Sequence, residues 1–156
     1  MGAAPLSEIA DQKSACVHAT CVSVKGLGVL IIGASGAGKS ALALQMMALG
    51  AQLVADDRVD LTGQGDHILA TEVLQIRGLI EARGVGLLRA DVVGPVPLAY
   101  IVDMDQPEPA RLPEPTHIRV LRQTVPLLRG AGVPNLAAAL IQLVKMGRVA
   151  PEWPNT

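Results

Sequence analysis

The run Gly33-Ala34-Ser35-Gly36-Ala37-Gly38-Lys39-Ser40 constrains this chain more than any other stretch. It fits G-x-x-x-x-G-K-[ST] in full. Its glycines let the backbone curl until successive N–H groups converge on one anionic group. Such a loop works between a strand that delivers it and a helix whose N-terminal dipole adds to its field. Both neighbours are legible. Val29 to Ile32 is a short aliphatic run with glycine on either side, which reads as a buried strand. Ser40 to Leu49 is rich in Ala, Leu, Met and Gln, all good helix formers, and Gly50 stands where a helix-ending glycine belongs. The expected ligand is a nucleoside triphosphate held on Gly33 to Ser40. Lys39 would neutralise the outer phosphates, and the Ser40 hydroxyl would serve magnesium.

The rest of the pattern alternates strands, turns and one further helix. Leu6 to Lys13 has helical character. Cys16 to Val24 reads as a strand, and Lys25 to Gly28 turns it into the loop strand as a hairpin. Gln52 to Ala55 reads as a strand ending on Asp56-Asp57. Val59 to Thr62 and His67 to Ala70 form a second hairpin across Gly63 to Asp66, and Pro97 to Val102 is a further strand. Asp103 to Pro115, with four prolines among its charges, reads as a long surface loop. His117 to Leu121 is a short strand. Pro134 to Met146 carries Leu136, Leu140, Leu143 and Val144 at helical spacing, closed by Gly147. The end after Ala150 reads as loose.

Composition narrows the class. The 156 residues fit one domain, taken as 1–156. Tyr100 and Trp153 are the only aromatic residues, so Leu, Val, Ile and Ala must build the core. That suits an α/β layer architecture with aliphatic strands, and the hairpin ahead of the loop argues for a mixed sheet with flanking helices rather than a simple doubly wound one. The net charge of -1 provides no broad basic field, and no nucleic-acid partner is expected. The apolar runs fall short of a membrane span, and the N-terminus lacks a basic region followed by an apolar one. A cytoplasmic protein without a membrane partner is expected. Cys16 and Cys21 read as small reduced side chains rather than a zinc site.

A phosphate loop that serves phosphoryl transfer needs a second metal partner and a base for the acceptor hydroxyl. Asp56 and Asp57 end the strand that follows the loop helix. Strands beside a loop strand deliver their C-terminal ends to the ligand. One carboxylate can orient metal or its water, and the other can accept the hydroxyl proton. Glu81 and Arg83 lie two apart and would share one face of a strand.

On these elements the chain resembles the catalytic domain of HPr kinase/phosphorylase over about Val17 to Val144. The resemblance rests on His18, the loop Gly33 to Ser40, Leu53-Val54-Ala55-Asp56-Asp57, and Ile80-Glu81-Ala82-Arg83-Gly84-Val85-Gly86. It implies a fold of the phosphoenolpyruvate-carboxykinase type with a phosphate loop. It implies ATP and Mg2+ as cofactors, a serine on an HPr-like phosphocarrier protein as acceptor, and a homo-oligomer, hexameric in the family. It also implies roles. His18 resembles the histidine near the active site. Lys39 and Ser40 match the phosphate and magnesium residues. Asp57, or the pair with Asp56, resembles the proton acceptor. Glu81 resembles a metal ligand and Arg83 a catalytic residue, and Arg111 corresponds to a further catalytic arginine.

Two departures stand out. The separate N-terminal domain usual in that family is expected to be absent, as in the short alphaproteobacterial forms. The family's V-P-V-R-P-G-R-N-L-A segment, tied to dephosphorylation, reads Val125-Pro126-Leu127-Leu128-Arg129-Gly130-Ala131-Gly132-Val133-Pro134-Asn135-Leu136-Ala137; its arginines are mostly lost, with only Arg129 nearby, so the resemblance does not extend to the dephosphorylating activity. The loop and acidic pair would serve a small-molecule or carboxykinase-like kinase equally well, but no arginine-rich lid is visible. A nucleotide switch is the third reading. It lacks the N-K-x-D of a guanine site, and the H-R-D and D-F-G of eukaryotic-type kinases are absent too.

Overall fold

The computed structural model describes residues 5–153. Its strands are β1 (Ser14–His18), β2 (Thr20–Val24), β3 (Leu27–Ile32), β4 (Gln52–Ala55), β5 (Arg58–Gln64), β6 (His67–Glu72), β7 (Leu79–Ala82), β8 (Gly86–Arg89), β9 (Val96–Pro107), β10 (Thr116–Val120) and β11 (Gln123–Ala131). Its helices are α1 (Lys39–Ala48) and α2 (Leu136–Met146). Nine strands form one mixed sheet in the order β1-β5-β6-β9-β3-β2-β4, with β11 on β9 and β10 on β11. β7 and β8 form a separate hairpin. This is the mixed sheet with flanking helices expected from the sequence.

Along β3 the side chains alternate between two cores, as the period of a strand demands. Val29 and Ile31 pack with Leu42, Ala43 and Met46 of α1 and Leu140 of α2. Leu30 packs on the other face with Leu6, Ile9, Val17, Val54 and Ile101. A strand covered on both faces reads as a continuous aliphatic run, which is why this one stood out.

The topology aims three chain ends at one place. β2 runs antiparallel between β3 and β4, so β4 points the same way as β3. β9 is parallel to β3, with Asp103 level with Ile32. The loop after β3, the Asp56-Asp57 corner after β4 and the far part of β9 therefore share one edge, where open α/β sheets bind ligands.

Three expectations are corrected, and one strand is new. Leu6 to Lys13 holds only a 3-10 turn at Leu6–Glu8, and β1 begins at Ser14. The run Cys16 to Val24 is two strands. Ala19 donates its N–H to the Asp57 carbonyl at 3.3 Å, so β1 goes on to pair with β5 while β2 pairs with β3 and β4. The surface loop expected from Asp103 starts only after Pro107, because β9 continues as a ladder partner of β11. β11 itself had no counterpart in the sequence reading. Pro126 argues against a strand there, yet the parallel ladder with β9 begins one residue later, at Leu127. The end after Ala150 turns at 151–153, and 154–156 lie outside the described residues.

Candidate active site

A cavity of about 700 Å³ opens at that shared edge. Ser35, Gly36, Gly38, Lys39 and Ser40 line it from the loop, His18, Asp56 and Asp57 from the strand ends, and Glu81 and Arg83 from the β7–β8 hairpin. The loop needs its glycines. Gly36 and Gly38 have φ of 85° and 97°, the left-handed region that side chains with a Cβ avoid. The Lys39 ammonium donates to the carbonyls of Gly33 and Ala34 at 2.8 and 3.0 Å, which straps the start of the loop to its end.

Adjacent in sequence, Asp56 and Asp57 have separate surroundings. Asp56 is buried, and both oxygens of its carboxylate accept hydrogen bonds. Oδ1 accepts from the hydroxyls of Ser40 at 2.7 Å and Thr20 at 2.8 Å, and Oδ2 accepts the Glu81 N–H at 3.0 Å. It thereby ties the loop helix to the hairpin. Asp57 sits on a three-residue turn with φ of 69°, closed by an Arg58 N–H to Asp56 carbonyl bond of 2.8 Å. Left-handed backbone at a residue other than glycine is uncommon and clusters at functional sites. The turn throws the Asp57 carboxylate out over the cavity. His18 Nδ1 lies 3.6 Å from it, both side chains about 60% exposed, because β1 pairs His18 with Arg58.

Metal-binding capacity follows from the same residues. Among the described residues no group of three or more His, Cys, Asp or Glu could hold a metal ion by itself. The cavity instead offers the Ser40 hydroxyl beside Asp56, with Glu81 on the same wall. That suits magnesium, which keeps its waters and takes one or two protein ligands plus phosphate oxygens.

Most of the site residues expected from the sequence thus line one cavity: His18, Ser35, Gly36, Gly38, Lys39, Ser40, Asp56, Asp57, Glu81 and Arg83. Glu81 and Arg83 were expected on one strand face, but Arg83 lies one residue past β7 in the turn to β8. Gly33 and Ala34 line a smaller neighbouring cavity with Asp103 and Asp105. Arg111 is exposed in the 108–115 connection, outside both cavities.

Two neighbours of the site were missed. Thr20, buried under Asp56, gives no signal in the sequence. Asp105 accepts the Ala34 N–H with both oxygens, at 3.0 and 2.9 Å, anchoring the first residue after Gly33. Its acidic neighbour Asp103 and the prolines beyond it read as loop.

Sheet, loop and acidic corner define a phosphate-loop α/β domain. The match to known proteins is more specific. The family described as the HPr serine kinase C-terminal domain matches residues 8–93, and the chain belongs to that family. The chain is similar to the HPr kinase/phosphorylase of Latilactobacillus sakei subsp. sakei, 43% identical over 82 residues that make up 52% of this chain and 26% of that protein. It is 44% identical over 82 residues to that of Lactiplantibacillus plantarum, covering 52% and 25%. The chain thus spans about a quarter of the length of these curated relatives. Among solved structures it resembles the Hpr(Ser) kinase/phosphatase from Coxiella burnetii, with a TM-score of 0.72, 25% identity, and 83% of this chain and 93% of that one covered.

Proposed function

We propose that this chain is a protein-serine kinase that transfers the γ-phosphoryl group of ATP to a serine of an HPr-like phosphocarrier protein. The observation that carries the reading is the division of labour between Asp56 and Asp57. A buried carboxylate bound to the loop serine and an exposed carboxylate one residue on, over the same cavity, are the two acidic groups such a transfer needs.

In this reading Gly33 to Ser40 hold the triphosphate through backbone N–H groups, and Lys39 turns from the loop carbonyls to the outer phosphates. Ser40, Asp56 and Glu81 would hold Mg2+, which would neutralise charge on the β- and γ-phosphates. Asp57 takes the proton of the acceptor serine as its oxygen attacks phosphorus in line. The bond from γ-phosphorus to the bridging oxygen breaks and ADP leaves. Arg83 faces the transferred charge, and His18 steadies Asp57. Removal of the phosphate by phosphorolysis would use the same groups. Inorganic phosphate attacks the seryl phosphorus, the bond from phosphorus to the seryl oxygen breaks as protonated Asp57 gives its proton to that oxygen, and the pyrophosphate so formed is released. Cytoplasmic location and a homo-oligomer belong to the same proposal. Among the described residues no helix is long and apolar enough to cross a membrane.

The test is transfer of label from γ-labelled ATP, with magnesium, to an HPr-like carrier, the modified residue then located by mass spectrometry. Phosphoserine is expected, and Asp57→Asn should lower the rate by about 10²–10⁴-fold, the contribution of a general base. Asn is the right substitute because it tolerates the left-handed backbone. Full transfer by that variant, or label on histidine, sinks the reading.

A further inference from the structure

Along β2 the side chains of Val22 and Val24 face the core that holds α1, and position 20, two residues earlier, belongs to the same face. An aliphatic residue would continue that face into the floor of the cavity. The chain places Thr20 there instead, with none of its surface exposed. A hydroxyl so placed needs a partner to offset its lost water. The partner is Asp56. Thr20 donates to Oδ1 at 2.8 Å, and Ser40 donates to the same oxygen at 2.7 Å. The sheet order brings the three together, because β2 lies between β3, which leads into the phosphate loop, and β4, which ends beside Asp56.

We propose, on the magnesium role given to Ser40 and Asp56 above, that Thr20 is a positioning residue for that metal site, locking the Asp56 carboxylate so that the Ser40 oxygen stays turned to the cation. An ionised carboxylate only accepts, so both hydroxyls must donate, and together they fill the two acceptor positions of Oδ1. Ser40 has one proton. With that proton committed to Asp56, its oxygen lone pairs are left for the cavity. The terminal torsion of an aspartate is soft and roughly two-fold. Thr20 on Oδ1 and the Glu81 N–H on Oδ2, at 3.0 Å, remove that freedom. Groups that orient a metal's ligands set its affinity without touching it. Valine would fill the same space and suits a strand equally well, so packing alone does not call for the hydroxyl.

Calorimetric titration of the whole chain with ATP, with magnesium and in EDTA, tests this role in Thr20→Val, Thr20→Ser and Ser40→Ala, once thermal melts show that each folds. Thr20→Ala removes the same hydroxyl and serves if Thr20→Val does not fold. Thr20→Val should weaken magnesium ATP about tenfold, a typical loss when a metal's ligand is no longer oriented. In EDTA it should bind ATP as the wild type does, because the loop N–H groups and Lys39 are untouched. Thr20→Ser keeps the hydroxyl and should recover most of the affinity. In a Ser40→Ala background Thr20→Val should add less than about twofold, since Thr20 acts through that serine. An equal loss with and without magnesium would make Thr20 a packing residue and overturns the role. So does a Thr20→Ser variant as weak as Thr20→Val, and so do losses that add in the double variant. A wild-type chain whose ATP affinity magnesium does not raise overturns the metal reading itself, which the other outcomes leave standing.

Discussion

At the scale of residues, Asp56 and Asp57 should respond to substitution in opposite ways. Asp56 is a buried acceptor for three donors. Asp56→Asn turns an amide nitrogen toward one of them, so a buried donor loses its partner. The cost is about 1–3 kcal/mol, read as a lowered denaturation midpoint with unchanged slope. Asp57→Asn changes an exposed side chain and should stay within about 0.5 kcal/mol of wild type while losing transfer. Cys21 makes a pH prediction of another kind. Burial pushes its thiol from 9.0 up to about 12. The folded state favours the neutral thiol, so this contribution is intact below about pH 9 and is lost as pH rises toward about 12. Stability should fall across that window, and less so in Cys21→Ala. Cys16 is half-buried and its thiol is also raised, by burial and by Asp60, so a thiol reagent near neutral pH should reach Cys16 slowly and Cys21 only after unfolding.

At the scale of elements, what was legible depended on how local each signal was. The strand, loop and helix from Val29 to Leu49 announced themselves because their cues lie within twenty or so residues of one another and agree. α2 was equally plain from its leucine spacing. β11 was not, since its pattern is broken by Pro126 and Gly130 and its partners come from β9 and β10. Gly130 has a packing reason. An added Cβ would come within 2.9 Å of Leu136, Met104 and Val102 side-chain atoms, where α2 closes on the sheet. Gly130→Ala should therefore cost about 1–3 kcal/mol through overpacking, visible in the thermal melt. The far part of β9 carries a finer prediction. Asp105→Ala frees the Ala34 N–H and loosens the loop entrance, so affinity for magnesium ATP should fall roughly fivefold. Asp105→Asn keeps an acceptor oxygen and removes a negative charge near the triphosphate, so calorimetry should find affinity restored or improved. A loss in both variants would mean the charge, not the hydrogen bond, matters.

At the scale of the whole molecule, the site is a meeting of segments that only the sheet order brings together. The residue types of the loop, the acidic corner and the hairpin could be read from the sequence, but not why one carboxylate is buried and its neighbour exposed. That division follows from non-local contacts: Thr20 beneath Asp56, and His18 brought beside Asp57 by the β1–β5 register. Because Asp56 joins the loop helix, β2 and the hairpin, a ligand bound there should stabilise the entire domain, not one loop. Binding to the folded state alone adds about 2.7 kcal/mol at a hundred times Kd. For a domain of this size each kcal/mol raises Tm by about 2–4 °C, so saturating magnesium ATP should raise it by roughly 5–10 °C. The transition should stay single, since β2, α1 and β7 share one core. Asp56→Asn should lose most of this rise and Asp57→Asn keep it. A rise equally lost in both would make both carboxylates hold the nucleotide, against the division of roles that the geometry supports.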